Sequence, residues 1–573
     1  MSKIPKISLL LILMFEAAVG FASYVAGPGV QQRRYKEKEL YQTLSIIKTS
    51  KPGVRGHAAL NMFNGYLGGV EALDNGKGDG AIAFFDISDP KDPKRIATHI
   101  NEHTRDLFEG HNYGFIKING RDIVFMIAQR GLQIWDWTDI YSIQHLCSLD
   151  LPRLKMGAYA NTGWWLALQY PYVYIGATNT GLQIIDATDL KHPKLVKRIP
   201  LSKLGGFPIG SLYACGNQLI CTGFDRKNPK NASWNVMDIS NPINPRLLQT
   251  VKGVFGYSGL FNGGYVFSIE ENPKIWDMRN VDSIILAGQY QGPKVGSKGG
   301  YGLFQDGFLH MGASNAYAKL DVSNPSKPTL VKQAKRNIKK QDFDGATPIG
   351  QYTIMSCDHG TGTHIVVHQS MPDRTGPNVN YMHPIPDSTN NNILSRIGLT
   401  FTDEIDHVIS SSARVYRVGG KDVPGNWSLH NSILNFTPKN PLENAATYTV
   451  ELPPGSVKDV VGNPIENIFR ASFSTGNILS DFKVKAQPVA SVEFGQTSKF
   501  SIVDSTFKDA LYAWDFGDGS PRTDYSSTLH VEHKYQNPGR YDVILYGKYR
   551  DQRATSQCFN LVHLPVIEPH PRN

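Results

Sequence analysis

Cysteine is scarce in this sequence: 573 residues contain only five, Cys147, Cys215, Cys221, Cys357 and Cys558. So few thiols, and an odd number of them, exclude the disulfide framework on which small secreted domains depend. Cys215 and Cys221 flank a predicted hairpin, which leaves one cross-strand bridge and two buried thiols as open alternatives.

Long hydrophobic runs are also missing. Beyond the N-terminus no stretch reaches the roughly 18 apolar residues of a membrane-spanning helix, so none is predicted in the mature chain. At the start, Lys3 and Lys6 precede an apolar run over residues 7–15 and small residues around Ala22. This order predicts a signal peptide over residues 1–22 and export to the cell surface, the periplasm or the outside. An uncleaved anchor is the alternative.

Familiar catalytic and nucleic-acid motifs are absent as well. The sequence has no Gly-x-Ser-x-Gly elbow, no His-Glu-x-x-His zinc helix and no phosphate loop. The net charge of +9 arises before residue 377, because residues 377–573 hold 18 Lys and Arg against 20 Asp and Glu. An excess this dilute is compatible with an anionic glycan or lipid headgroup. Export and the lack of a recognition motif argue against nucleic acid as a partner.

What the sequence does contain is a repeated phrase: an apolar strand ending in Asp, followed by Ser or Thr, Asp or Asn, and Pro. One copy reads Phe84-Phe85-Asp86-Ile87-Ser88-Asp89-Pro90. The marker aspartates are Asp86, Asp136, Asp186, Asp238, Asp277 and Asp321. A spacing of about 40 to 50 residues is typical of propellers. We interpret these aspartates as side chains that staple turns, and not as catalytic acids, because catalysis does not need six copies.

Seven such units can be counted, beginning near residues 56, 110, 157, 207, 255, 297 and 344. Most have a tight hairpin turn after the first strand: Asn64-Gly65, Asn119-Gly120, Gly216-Asn217, Asn262-Gly263 and Asp306-Gly307. The seventh unit is one strand short, and residues 40–47 have the matching strand character. We therefore predict that this N-terminal strand closes the ring. Residues 41–372 resemble the LVIVD-repeat family of bacterial propellers, which implies a seven-bladed β-propeller.

Two further modules follow. Pro377, Pro384 and Pro386, together with several Asn, predict a linker. Residues 385–476 resemble the bacterial Ig-like domain of surface-layer proteins, with landmarks at residues 399–406 and 433–438. Residues 481–565 contain Trp514-Asp515-Phe516-Gly517-Asp518-Gly519 and resemble the PKD domain. The predicted fold class is all-β: a seven-bladed β-propeller followed by two Ig-like β-sandwich domains.

Candidate site residues come from aligning the units by their hairpins. The alignment places His57, His111, Tyr159, Tyr257 and Asp344 near one mouth of the predicted channel, and His359 of the seventh unit is expected to approach the same region. Neutral imidazoles beside a carboxylate suit a transition metal, with His57, His111 and His359 as candidate ligands. The competing interpretation is that they bond backbone or water at a polar mouth. Asp515 and Asp518 are candidate calcium ligands.

Two functions remain open. The first is an exported cell-surface or secreted binding or scaffold protein, whose propeller face recognises a protein or polysaccharide partner while the Ig-like modules act as spacers or adhesive arms. The second is a secreted metal-dependent enzyme with its site at the channel mouth and the PKD domain as a substrate-targeting appendage. The resemblances favour the first, because all three architectures serve interactions, although propellers also host catalysis.

Overall fold

The computed structural model describes residues 27–563 apart from 51–55, 73–79, 108–109, 111, 156–161, 207, 224–232, 253–257, 296–299, 314–315, 336–341, 360–361, 419, 477–483, 488–491, 506–508 and 550–551. The predicted signal peptide lies outside this part. The described residues are all-β, and their helices are short 3-10 turns at Glu37–Glu39, Thr104–Leu107, Leu201–Lys203 and Val281–Ser283. Among them, no helix has the length and apolarity needed to cross a membrane.

The first two thirds of the described chain form seven units of four antiparallel strands. The units are numbered here as sheets 1 to 7, and the strands of each sheet are given from the innermost to the outermost. Sheet 1 contains His57–Phe63, Tyr66–Ala72, Gly80–Asp86 and Lys94–His99; sheet 2 contains Tyr113–Ile118, Arg121–Ala128, Gly131–Asp136 and Gln144–Asp150. Sheet 3 contains Trp165–Gln169, Tyr172–Gly176, Leu182–Asp186 and Lys194–Ile199; sheet 4 contains Ile209–Cys215, Gln218–Gly223, Ser233–Asp238 and Arg246–Lys252. Sheet 5 contains Ser258–Asn262, Tyr265–Ile269, Lys274–Asp277 and Ile285–Gln289; sheet 6 contains Gly302–Gln305, Phe308–Ala313, Ala316–Asp321 and Thr329–Lys335. This arrangement is consistent with a propeller and confirms the predicted all-β class.

Sheet 7 combines the two ends of the propeller region. Asp342–Ile349, Tyr352–His359 and Thr363–Val367 are joined by Thr43–Ile47, which pairs antiparallel with the last of them. The prediction that an N-terminal strand completes the seventh unit is confirmed. This pairing holds the two ends of the propeller region together in one sheet.

The marker aspartates staple turns, as predicted. Each accepts a hydrogen bond through Oδ1 from the backbone N–H two residues later, at 2.8–3.0 Å. A second Asp or Asn three residues after each of the six markers repeats the bond, as Asn324 does for Ser326 N–H at 3.1 Å. The repeated phrase is therefore explained by local hydrogen bonding at strand ends.

The Ig-like module has two sheets. Its strands are Val379–His383, Ile397–Phe401, Arg414–Arg417, Gly425–His430, Ile433–Pro438, Thr447–Leu452 and Phe469–Ser474. The predicted linker is wrong, because Val379–His383 is a strand paired with Ile397–Phe401. The flanking Pro and Asn conceal this short strand in the sequence, whereas Tyr381 and Met382 bury their side chains in the fold.

The PKD module has its own core. Its strands are Val484–Gln487, Val492–Glu493, Ser498–Ser505, Leu511–Asp515, His530–His533, Gly539–Tyr549 and Gln552–His563. Trp514 and Phe516 are buried and pack with Phe500, Tyr535 and Leu545. Trp514 and Phe516 flank Asp515 and both enter the core, as alternation along a strand requires.

Cys215 and Cys221 are free buried thiols. On the hairpin Cys215 lies opposite Gln218 and Cys221 lies opposite Leu212, so the two are not cross-strand neighbours. Burial raises the pKa of both thiols, which leaves them protonated and unreactive at neutral pH.

Candidate functional site

The tight hairpin turns of the propeller contact the Ig-like module. Gly216 N–H donates to Asn435 Oδ1 at 3.0 Å, and Asn262 Nδ2 donates to the Phe401 carbonyl at 2.9 Å. In sheet 6, Asp306 N–H donates to the Thr402 carbonyl at 2.6 Å. Turns from sheets 4, 5 and 6 therefore form a seat for one sheet of the sandwich.

Asn435 makes three hydrogen bonds to the ring at this seat. Its Oδ1 accepts from Gly216 N–H and from Gln169 Nε2 at 2.9 Å, and its Nδ2 donates to the Ala214 carbonyl at 2.9 Å. The residue is fully buried. One amide thus bonds the side chain of Gln169 in sheet 3 and two backbone groups of sheet 4, and those backbone groups would otherwise be buried without this partner.

Strand pairing joins the module to sheet 2. Gly425–His430 pairs antiparallel with the innermost strand Tyr113–Ile118, with Leu429 opposite Phe115 and His430 opposite Gly114. The result is a continuous eight-stranded sheet that runs from the propeller into the sandwich. The Ig-like module is therefore fixed to the ring by backbone hydrogen bonds as well as side chains.

A cavity lies where the innermost strands converge, and the Ig-like module supplies its floor. Aromatic rings dominate the wall, with Tyr113, Phe115, Trp165, Tyr213 and Tyr301 from sheets 2, 3, 4 and 6. Glu404, Ile405, His407, Leu429, Asn431 and Ser432 of the sandwich line the cavity at the seat. The space not filled by protein is about 960 Å³, its open mouth included. The cavity thus combines large apolar faces with a few polar groups, as small-molecule sites do.

The polar groups of the cavity include a carboxyl group with a raised pKa and two donors without a hydrogen-bond partner among the described residues. Burial raises the pKa of Glu404 to about 7, even though Ser432 Oγ donates a hydrogen bond to its Oε2. Asn431 Nδ2 and Trp165 Nε1 have no hydrogen-bond partner among the described residues. Buried donors without partners bind water or a polar ligand, so these atoms can donate hydrogen bonds to a ligand oxygen.

His407 forms an ion triad between the module and sheet 2. Its Nδ1 lies 3.0 Å from Asp406 Oδ1, and its Nε2 lies 3.5 Å from Asp122 Oδ1. The ring stacks on Phe63 with centroids 4.6 Å apart. Burial alone would lower the pKa of His407, but the two carboxylates outweigh it and raise the pKa to about 9. The imidazole is therefore charged at neutral pH and bridges the two domains.

Three carboxylates meet beside the seat: Asp306 of the sheet 6 hairpin, Asp373 just after the propeller, and Asp403 of the sandwich. One oxygen from each lies within 4.8 Å of the others. Burial and the charge of Asp373 raise the pKa of Asp306 to about 6, and burial with several acidic neighbours raises that of Asp403 well above its usual range. The group holds concentrated negative charge.

The predicted channel-mouth residues are only partly described. His57 is fully buried, with Nδ1 3.1 Å from Thr363 Oγ1 and its ring against Phe85, so it lies between sheets 1 and 7 and outside the cavity lining. Burial lowers its pKa to about 4, which keeps it neutral. Asp344 is half-buried, and its carbonyl accepts from Tyr301 N–H at 2.5 Å at the cavity wall.

The remaining candidates stay predictions. His111, Tyr159 and Tyr257, and the side chain of His359, lie outside the described residues. A metal site built from His57, His111 and His359 is therefore untested. In the PKD turn, Asp515 Oδ1 accepts from Gly517 N–H, while Asp518 accepts from Ser520 and from His533 Nε2 at 2.7 Å. The carboxylate oxygens of these two candidate calcium ligands thus already accept hydrogen bonds from nearby protein groups.

Sequence reasoning missed the most unusual groups: Glu404, His407, Asn435 and the three clustered carboxylates. One local signal existed, since Asp403-Glu404-Ile405-Asp406-His407 places four ionisable residues directly after an apolar strand. We took that run only as a landmark of the sandwich. Asn435 and Asp306 carry no such signal, because their partners lie more than 60 residues away in the chain.

Comparison with solved structures gives distant similarities. The computationally designed Ika8 protein has 14% identity and a TM-score of 0.37, covering 57% of this chain and 99% of that one. The extracellular domain of BT4673 from B. thetaiotaomicron has 10% identity and a TM-score of 0.39, covering 92% and 59%. Sqt1 of Chaetomium thermophilum has 11% identity and a TM-score of 0.38, covering 54% and 82%. With TM-scores below 0.5, none of these similarities bears on function.

No curated protein matches the sequence. Family models do match three parts of it: the LVIVD repeat at residues 166–199 and 311–335, the bacterial Ig-like domain at 373–475, and the PKD domain at 481–562. Domains of the last two kinds fit a cell-surface or extracellular protein. The chain therefore carries LVIVD repeats, a bacterial Ig-like domain and a PKD domain, in the order that its sequence predicts.

Proposed function

We propose that this protein is an exported, surface-associated binding protein whose propeller holds a glycan chain end in its central cavity. The observation that carries the proposal is the cavity itself: aromatic walls from the innermost strands and a polar floor contributed by the Ig-like module. Aromatic faces with a few placed polar groups suit sugar rings, which have apolar faces and hydroxyl edges.

Polar atoms at the floor supply the specificity. Asn431 Nδ2 and Trp165 Nε1 are donors for ligand oxygens, and Glu404 is an acceptor or donor according to its protonation. Because the pKa of Glu404 is raised to about 7, both forms are populated at neutral pH. Ligand affinity is therefore expected to change between about pH 6 and 8.

The Ig-like module acts in this proposal as a floor and not as a free spacer. Its turns and strands occupy the hairpin end of the ring through Asn435, Phe401 and Thr402. A ligand consequently enters from the opposite end. The PKD module has a separate core. In this proposal it is the module that attaches the protein to a surface or holds the propeller away from it.

A glycan-binding assay on the full chain tests the proposal. Asn431→Ala and Glu404→Gln are expected to weaken binding about tenfold or more, since each removes one buried polar contact. Tyr141→Ala is the control, because Tyr141 is an exposed ring, 63% accessible, away from the cavity lining. Binding that is equal in all four proteins, or capture of a protein partner insensitive to the cavity variants, would contradict the proposal.

A further inference from the structure

We propose that Asp306, Asp373 and Asp403 form a calcium site that clamps the sixth sheet of the propeller to the Ig-like module. The three carboxylates come from three separate segments: a hairpin turn of the ring, the chain just after the ring, and the end of the sandwich strand Ile397–Phe401. One oxygen of each lies within 4.8 Å of the other two. This proposal does not depend on the ligand of the cavity.

Asp403 itself and Gln305, whose amide reaches Asp373, each leave one buried oxygen without a partner among the described residues. Asp403 is 3% exposed, its Oδ1 accepts from Glu404 N–H at 2.7 Å, and its Oδ2 has no partner among the described residues. Gln305 is 2% exposed, and its Nε2 donates to Asp373 Oδ2 at 3.2 Å. Its Oε1 likewise has no partner in the described part of the chain. Such oxygens are costly when buried unless a donor or cation satisfies them.

The ligand set favours calcium. All the groups are oxygens, which suit hard cations and not the softer transition metals. Calcium binds oxygen at about 2.3–2.6 Å, so two ligands on opposite sides of it lie up to about 5 Å apart. Magnesium at about 2.1 Å needs a tighter set. The three carboxylate oxygens lie within 4.8 Å of one another, a separation that the larger ion can span.

No protein cation takes this place in the described residues. The charges of Lys319 and Arg374 act on Asp306 and Asp373, respectively, and each opposes the rise of that carboxyl's pKa. Lys319 Nζ lies 4.1 Å over the Phe308 ring. Asp459 adds further negative charge to the surroundings of Asp403. Asp306 is exposed at its turn, which gives an ion a path in and leaves room for water ligands.

Calcium titration of the calcium-free full chain, by calorimetry and by the unfolding midpoint with calcium or with EDTA, tests the site. We expect one calcium per chain and a higher midpoint with calcium. Asp306→Asn and Asp403→Asn should abolish both responses, and Gln305→Leu should weaken calcium binding by roughly 10- to 100-fold because it removes the partner that orients Asp373. Asp518→Asn is the matched control, since it neutralises an aspartate of the PKD turn.

The outcomes separate the alternatives. Calcium binding lost in the Asp306 and Asp403 variants and kept in Asp518→Asn supports the clamp. No calcium binding by the full chain, or binding lost only in Asp518→Asn, overturns it. Should Asp403→Asn fail to fold, Asp306→Asn decides, because its side chain is exposed. In EDTA these two variants should melt no lower than the parent chain, since they relieve repulsion.

Discussion

The two C-terminal sandwiches are equally easy to recognise in the sequence, yet they relate to the propeller in different ways. Residues of the Ig-like module enter the hydrophobic clusters of the ring: Ile433 and Tyr381 join one of them, and Val460 and Val461 pack on another. The core of the PKD module contains only its own residues. A family signature therefore identifies a module but does not reveal whether the module is part of a neighbour's structure.

Removing each module in turn should give the largest change in the unfolding midpoint and the clearest difference between the two modules. A chain ending at residue 476 should keep the unfolding midpoint of the propeller, whereas a chain ending at residue 372 should lose about 10 °C or more, because it exposes the hairpin seat and apolar side chains. Calorimetry of both chains beside the parent measures this. Equal midpoints for the two truncated chains would show that the Ig-like module is a spacer after all.

Asn435→Leu should cause the next largest loss of stability. The change leaves Gly216 N–H and the Ala214 carbonyl buried without their partner, which costs about 3 kcal/mol of unfolding free energy. Gln169 Nε2 loses one of its two bonds and keeps the one to the Gly216 carbonyl at 2.6 Å. Chemical denaturation of the full chain is the measurement. Asn440→Leu, at an exposed position of the same module, should change it by less than about 0.5 kcal/mol. A similar loss in both variants would argue against a specific seat.

The ion triad of His407 predicts a pH dependence of comparable size. The folded pKa of about 9 lies above the ordinary 6.5, so the stabilisation is complete below about pH 6.5 and is lost as the pH rises through 9. It amounts to about 3 kcal/mol. At the acid end, the lowered pKa values of Asp122 and Asp406 mean that their contribution is lost as the pH falls below about 4.

Measuring the unfolding free energies of the parent and of His407→Gln between pH 5 and 10 separates the contribution of His407 from that of the other titrating groups. The difference between the two proteins should shrink as the pH rises. His192→Gln is the control, because His192 pairs with Asp189 at 3.0 Å on the surface. A difference that stays constant with pH would mean that His407 acts by packing on Phe63 alone.

Replacing one of the marker aspartates should cause the smallest loss of stability. Asp321→Ala removes the bonds to Ser323 N–H at 3.0 Å and Ser323 Oγ at 2.6 Å, for a cost of about 1 kcal/mol. Asp92→Ala, which breaks only an exposed pair with Lys94, should cost less. Thermal unfolding of both variants checks the order. A loss as large as that of Asn435→Leu would place the turns, and not the seat, at the centre of stability.

Much of the fold was predictable because its signals are local. The marker aspartates, the Asn-Gly turns and the Trp514 strand each act within a few residues, and the strand completing sheet 7 follows from counting strands. The missed strand Val379–His383 shows the limit of composition, since Pro and Asn around it resemble a linker. For the predicted channel-mouth residues, aligning the hairpins gives only a position along a strand; the structure places His57 between two sheets, against Thr363 and Phe85.

The sequence by itself determined the all-β class, the order of the three kinds of module and the chemistry of the repeated turns, because these depend on periodicity and on neighbours in the chain. Only the tertiary structure decided that the Ig-like module closes the propeller cavity, that Asp122 and His407 form an ion pair, and that Asp306, Asp373 and Asp403 converge. Those contacts join residues 30 to nearly 300 positions apart. A side chain's burial and partners at such separations are set by packing, which no local pattern records.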